Sequence, residues 1–212
     1  MKDLLSSLVT KYDEYVEIRY HRRVSNAFKS QMGRVDVANH SVVSGVGVRV
    51  LKNGAGGVSA TTDLDQRAIL RAIEQAFQNA SALSKARRGL AVKLERGELA
   101  RLDFVGEGYK ELFELSAADK NAKIVETEKI LKTQSSQISL ASCRYSELLE
   151  EKVIATSDGA LASLKIANPE FAVSAIAAHK GEQVAAGRGA GVAGGWQCLF
   201  DHPTLDDYSD QT

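Results

Sequence analysis

Hydrophobic and polar positions along this 212-residue chain change their period several times, and each change marks an element. Near the start, Leu4, Leu5, Leu8 and Val9 fall at i, i+1, i+4 and i+5, the spacing of a short amphipathic helix over residues 3–10. Residues 15–20 alternate instead, with Val16 and Ile18 on one side and Glu17 and Arg19 on the other, which predicts a strand. Residues 24–29 and 34–38 are the next extended pieces, around a turn at Gly33. Residues 42–51 and 58–61 complete an antiparallel meander. Val46, Val48 and Val50 recur with period 2, and β-branched side chains suit a pleated surface. Asn53-Gly54 predicts a hairpin turn because both residues accept positive φ. Gly56 and Gly57 are expected to lengthen that loop or to form a bulge.

The period then becomes helical. Asp63 is placed to cap the free amides, with Gln66 three residues on as in a capping box. Ile69, Leu70, Ile73, Ala76, Phe77 and Ala80 form the apolar face of a helix that should lie across the sheet. Positive charge in residues 84–89 closes it, where the helix dipole favours cations. Residues 90–115 show no clear period, and 105–108 read as loop. A second helix is predicted from Ser116 on a thin stripe of Ala117, Asn121, Ile124 and Leu131, with a charged, solvated side. From Gln137 the pattern is β again: residues 138–145, 152–156 and 160–166, with Ser157-Asp158-Gly159 as a tight turn. Residues 171–179 and 182–186 make a further hairpin about Lys180-Gly181. The order of elements predicts an α+β fold with a mainly antiparallel twisted sheet and helices packed on one face.

Composition narrows the function classes. Lys plus Arg equals Asp plus Glu at 27 each, a balance that argues against a general nucleic-acid or membrane-surface binder. The two cysteines, Cys143 and Cys198, form no framework or CxxC pair and read as free thiols of a reducing compartment. The N-terminus lacks the apolar run of a signal peptide, and no segment reaches the roughly 18 apolar residues of a membrane span. The expectation is a soluble cytoplasmic protein.

Chemistry-bearing motifs are sparse. Gly189-Ala190-Gly191-Val192-Ala193-Gly194 matches GxGxxG, but a dinucleotide turn needs a helix directly after it, and Pro203 follows soon. The glycines read better as a flexible or closely packed loop that lets another backbone approach. His21, His40, His179 and His202 lack metal-ligand spacing and read as surface or turn histidines. No nucleophile elbow surrounds Ser157, and Cys143 falls in a strand where a thiol is packed and inert. Glu147, Glu150 and Glu151 read as a solvated run. The basic groups Arg19, His21, Arg22, Arg23 and Lys85, Arg87, Arg88 read as a solvated strand end and a helix C-terminus. The residues themselves therefore give no catalytic, cofactor-binding or metal-binding assignment.

The order of motifs nevertheless resembles a known family. Residues 15–20 (YVEIRY), 45–51 (GVGVRVL) and 57–62 (GVSATT) resemble the opening of the TldD/PmbA family of zinc metallopeptidases, also called modulators of DNA gyrase. Residues 152–160 (KVIATSDGA) and the glycine stretch 187–195 resemble its second β region, and the whole is closer to TldD than to PmbA. The resemblance implies an N-terminal, non-catalytic α+β domain over residues 1–200, with a subdivision near 135, and a linker beginning at 201–212. It implies that zinc and its HExxxH motif belong to a C-terminal domain beyond Thr212, so the chain would be part of something longer. It further implies a peptide substrate, unfolded or leader-like, and a homo- or heterodimer with a TldD/PmbA-type subunit. An exposed sheet edge could take up such a peptide as an added strand, with Gly187, Gly189, Gly191 and Gly194 lining the approach. The competing expectation is a non-proteolytic interaction module of the gyrase-modulator type.

Overall fold

A computed structural model of the chain describes residues 1–86, 91–95 and 97–200. Its elements are α1 (Lys2–Val9), β1 (Tyr15–Gln31), β2 (Arg34–Lys52), β3 (Ala55–Thr61), α2 (Gln66–Ala86), β4 (Arg101–Val105), α3 (Tyr109–Glu114), α4 (Ala117–Thr133), β5 (Ile138–Thr156), β6 (Leu161–His179) and β7 (Glu182–Gly191), with a short 3-10 turn at Gln197–Leu199. The strands form one seven-stranded sheet in the order β3-β2-β1-β5-β6-β4, and β7 pairs along β6. The fold is α+β, as the alternation of periods predicted. Contacts divide the chain into two compact units. The first holds Met1–Arg22, Val43–Phe104 and Glu150–Lys165, and the second holds Arg23–Val42, Val105–Leu149 and the chain from Ile166 onward.

The first unit is built on apolar alternation. Val16, Ile18 and Tyr20 of β1 and Val46, Val48 and Val50 of β2 bury one sheet face with Val153 and Ala155 of β5. Leu5 and Leu8 of α1 and Ile69, Ile73 and Ala76 of α2 cover that face. Each large aliphatic side chain so buried contributes about 1.5–3 kcal/mol. Asn53 and Gly54 turn the hairpin with φ of 50° and 69°. Gly56 and Gly57 are not loop residues: they pair with Leu51 and Val50 inside β3. Their meaning is closeness, because a Cβ on Gly57 would stand 2.0 Å from the Ala76 carbonyl oxygen and 2.5 Å from the Ala80 nitrogen. Small residues on both elements thus let α2 sit directly on β3. The helix cap is Asp65, whose carboxylate accepts from the Ala68 amide at 2.9 Å, and not Asp63, which lies in the preceding turn. Residues 87–90, part of the charged stretch predicted to close α2, lie outside the described residues.

The second unit has a different interior. Phe28, Tyr145, Phe171, Leu112, Ile124 and Leu131 are buried together. Ser116 caps α4 by accepting from the Asp119 amide at 3.1 Å. Gly108, with φ of 67°, precedes α3 and crosses Gly195 so closely that a Cβ on it would lie 2.1 Å from the Gly195 Cα. Two differences from the sequence reading stand out. Segments 24–29 and 138–145 are not separate strands but parts of the long β1 and β5, which carry charged residues in mid-course. Residues 101–114, unassigned from sequence, contain β4 and α3. All five β4 residues are exposed and α3 has only six residues, so neither leaves a legible period.

Adding a methyl group at Gly57 should therefore overpack the seat of α2 and lower stability by about 1–3 kcal/mol. Urea unfolding of Gly57→Ala beside Gly56→Ala measures this. The second substitution meets nothing within 4 Å and should leave the midpoint unchanged or slightly raised.

Candidate functional site

The polar side chains of the second unit converge on a point that sequence reasoning missed. Lys120 of α4 and Glu147 of β5 are buried and paired at 2.8 Å. Lys120 also donates to the Leu112 carbonyl at 3.0 Å, and Asn26 of β1 donates to Glu147 at 2.5 Å. The Tyr145 hydroxyl donates to the other Glu147 oxygen, and His40 of β2 meets the Asn26 side-chain oxygen at 2.6 Å. Burial, then the charge of Glu147, pushes the Tyr145 phenol up from its ordinary value. Every partner is satisfied, so the cluster locks α3, α4 and β5 together. The reading of Glu147 as part of a solvated run is therefore corrected. Lys120 lies four residues before Ile124 on the buried stripe, the one signal that pointed to it.

The other basic and acidic positions pair along one strand or between neighbouring strands. Arg19 donates to Glu17 at 2.5 Å, and His21 meets Glu150 at 2.8 Å. Burial works against charge on Glu150, yet hydrogen bonds from His21 and Lys152 hold its carboxyl below its ordinary value. Arg22 stands 3.7 Å from Glu151. The first basic group is thus a mid-strand set facing carboxylates rather than a solvated strand end. Cys143 is buried, and burial with the charge of Glu128 raises its thiol, which keeps it protonated and unreactive. Beyond those pairs, His179 meets Gln137 at 3.3 Å, and His202 lies outside the described residues. Among the described residues no group of three or more His, Cys, Asp or Glu side chains is suited to hold a metal.

The glycines of the sequence motif occupy a strand edge. Gly187, Gly189 and Gly191 belong to β7, opposite Ser174, Ala172 and Glu170 of β6. Extended backbone at Gly189–Gly191 is not the strand-to-helix turn of a dinucleotide site, nor a loop. Gly194 lies beyond β7, donates its amide to the Ala167 carbonyl at 2.9 Å, and is packed: a Cβ there would lie 2.7 Å from Cys198 Sγ. Structure thus brings three of the four glycines together on the strand and sets the fourth against Cys198.

Which backbone groups of β7 face outward follows from the hairpin. His179 and Glu182 close a two-residue turn and form its first hydrogen-bonded pair. The amides of residues 184, 186, 188 and 190 then point to β6, and those of Gln183, Ala185, Gly187, Gly189 and Gly191 point away. β7 pairs with β6 alone among the described strands, so these outward groups form a row of donors and acceptors repeating about every 6.8 Å. A cavity of about 220 Å³ adjoins the row, lined by Arg144, Glu170, Phe171, Ala172 and residues 189–191. Such an edge can bind the backbone of an extended chain irrespective of its side chains.

Two family models match the sequence: PmbA/TldA metallopeptidase domain 1 over residues 16–80, and the PmbA/TldA metallopeptidase central domain over residues 110–212. The chain belongs to the PmbA/TldD family. Solved structures share the fold of this PmbA/TldD chain at low identity. TldE from Thermococcus kodakarensis is 15% identical with a TM-score of 0.74 over 98% of the chain. Proteins described as modulators of DNA gyrase from Thermotoga maritima and Bacteroides thetaiotaomicron are 16% and 13% identical, with TM-scores of 0.73 and 0.69 over 99% and 98% of the chain. The chain spans just under half the length of each, 45% of the Thermotoga protein, 48% of the Bacteroides protein and 46% of TldE. Among curated protein sequences none matches it. No helix among the described residues is long and apolar enough to cross a membrane.

Replacing Lys120 by Met should strand the Glu147 carboxylate and lower stability by about 3–5 kcal/mol, whereas Lys120→Met with Glu147→Gln should recover part of the loss, because no charge is left buried and the amide oxygen still accepts from Asn26 or Tyr145. Thermal or urea unfolding of the two variants measures the difference. Equal losses would show that the pair is not what holds α4 in place.

Proposed function

We propose that this chain is the non-catalytic, substrate-holding part of a TldD-like zinc metallopeptidase that acts on unfolded or leader peptides. The observation that carries the reading is the match of both family domains to a chain whose β7 presents an outward row of backbone groups. An extended peptide would add as a strand beside β7, its hydrogen bonds formed with residues 183, 185, 187, 189 and 191. Gly187, Gly189 and Gly191 leave room on that edge for peptide side chains of any size, which suits a substrate defined by being unfolded. Gly194 would act through the path of the chain leaving β7. The zinc and the bond-breaking groups would be supplied by a further domain, and contact with a TldD- or TldE-type subunit would close the site around the peptide. In this reading the protein works in the cytoplasm and binds neither membrane nor nucleic acid.

A second reading, a protein-interaction module without proteolysis, is favoured by the description of two structural neighbours as modulators of DNA gyrase. Peptidase assay with zinc analysis, on the chain beside a longer version, separates the two. Activity in the longer version alone supports the first; tight protein binding with no activity in either supports the second.

Ala185→Pro removes one outward donor and leaves the amides that face β6 intact. Binding of an unstructured peptide, followed by fluorescence anisotropy, should fall by roughly tenfold or more, with unfolding little changed. Undiminished binding to this variant would place the peptide elsewhere.

A further inference from the structure

Glu128 of α4 faces inward and is 2% exposed. Its Oε2 accepts from the Gly33 amide at 2.7 Å and from the Ser30 hydroxyl at 3.3 Å. These bonds tie the β1–β2 turn to α4. They use one oxygen only, and Oε1 meets no donor among the described residues. Oε1 is not sealed from solvent, since among the described residues Asn121 Oδ1 is the one fully buried side-chain atom without a partner, so Oε1 can take a donor from outside the protein.

That carboxylate stands in the wall of a groove of about 570 Å³. The remaining wall is made largely of Met32, Thr133, Leu140, Ala141 and the methylene stems of Lys129 and Lys132. The Lys132 ammonium is turned to the Ile138 carbonyl, so its charge is engaged at the start of β5. The volume falls in the range of small-molecule sites, about 300–1,000 Å³, where apolar walls surround a few convergent polar groups. None of these residues belongs to the β7 edge.

We propose that this groove binds a small organic ammonium: an alkyl or arylalkyl body with one primary amine that donates to Glu128 Oε1. The apolar walls take the body, and the buried negative charge selects the amine. At the amine's position an anionic ligand of the same shape meets the like charge of Glu128, and the ammonium of Lys129, exposed on the same wall, is the one cation there, among the described residues, without a carbonyl partner such as Lys132 has.

The test uses hexylamine, with hexanol and hexanoate as neutral and anionic comparators, titrated into the 212-residue chain and followed by backbone amide shifts. Hexylamine should give saturable shifts at Gly33, Thr133 and Ala141. Hexanol should bind roughly tenfold more weakly, since a charge-assisted hydrogen bond is lost, and hexanoate should not bind. Glu128→Gln keeps an acceptor for Gly33 and Ser30 but offers an amide in place of the second oxygen, so hexylamine should weaken roughly tenfold with little change in thermal unfolding. Thr133→Trp, at the exposed end of α4, should block the mouth and abolish binding without touching Glu128. The proposal is overturned if hexanoate or hexanol binds as well as hexylamine, if Glu128→Gln or Thr133→Trp binds undiminished, or if no saturable shift appears at these residues.

Discussion

A buried ion pair with every partner in place sets the geometry of the second unit. Taking Lys120 and Glu147 out of water costs several kcal/mol per ion, and only full hydrogen bonding offsets that cost. Asn26, Tyr145 and the Leu112 carbonyl supply it. One arrangement of α3, α4, β1 and β5 satisfies all of these groups at once, so the pair specifies position more than it adds net stability. Tyr145, held by Glu147, carries Trp196 on its ring at 4.9 Å, and Trp196 in turn packs on Phe200 at 5.1 Å. The chain leaving β7 is thereby anchored, with Gly195 crossing Gly108. Polar specification in the interior leads in this way to the placement of an open strand edge.

The first unit reaches order by a different route. Its interior is aliphatic, and its tightest constraint is the absence of side chains at Gly57 beside Ala76 and Ala80 of α2. Charged residues there pair on the sheet, as Glu17 does with Arg19 and Glu150 with His21. These pairs set a half-exposed cation on a largely covered carboxylate, and they allow β1 and β5 to run long through polar stretches without fraying into loops.

Elements with a strong period were legible in the sequence: α1, the Asn53-Gly54 hairpin, α2 with its Ile69–Ile73–Ala76 face, the start of α4 at Ser116 and the β6–β7 hairpin. Charge concealed the remainder. Glu147 and Lys120 look solvated singly, because their burial depends on meeting each other across 27 positions of chain. Strand length was hidden for the same reason, since Glu150 and Arg22 break an apolar pattern but not a hydrogen-bonded ladder. The glycine motif was legible as glycine and not as strand. Its meaning came from the register set by the Lys180-Gly181 turn, which decides which amides face outward. The Glu128 groove left no sequence signal, because the β1–β2 turn that closes it is distant in the chain from the end of α4 and the start of β5.

Amide hydrogen exchange along β7 probes the central claim most directly. Without peptide, the amides of residues 184, 186, 188 and 190 should be protected, and those of Gln183, Ala185, Gly187, Gly189 and Gly191 should exchange freely. Adding an unstructured peptide should slow the second set and leave the first unchanged, an alternation that only strand addition at this edge produces. Uniform slowing of both sets, or protection confined to residues outside β7, would contradict the account.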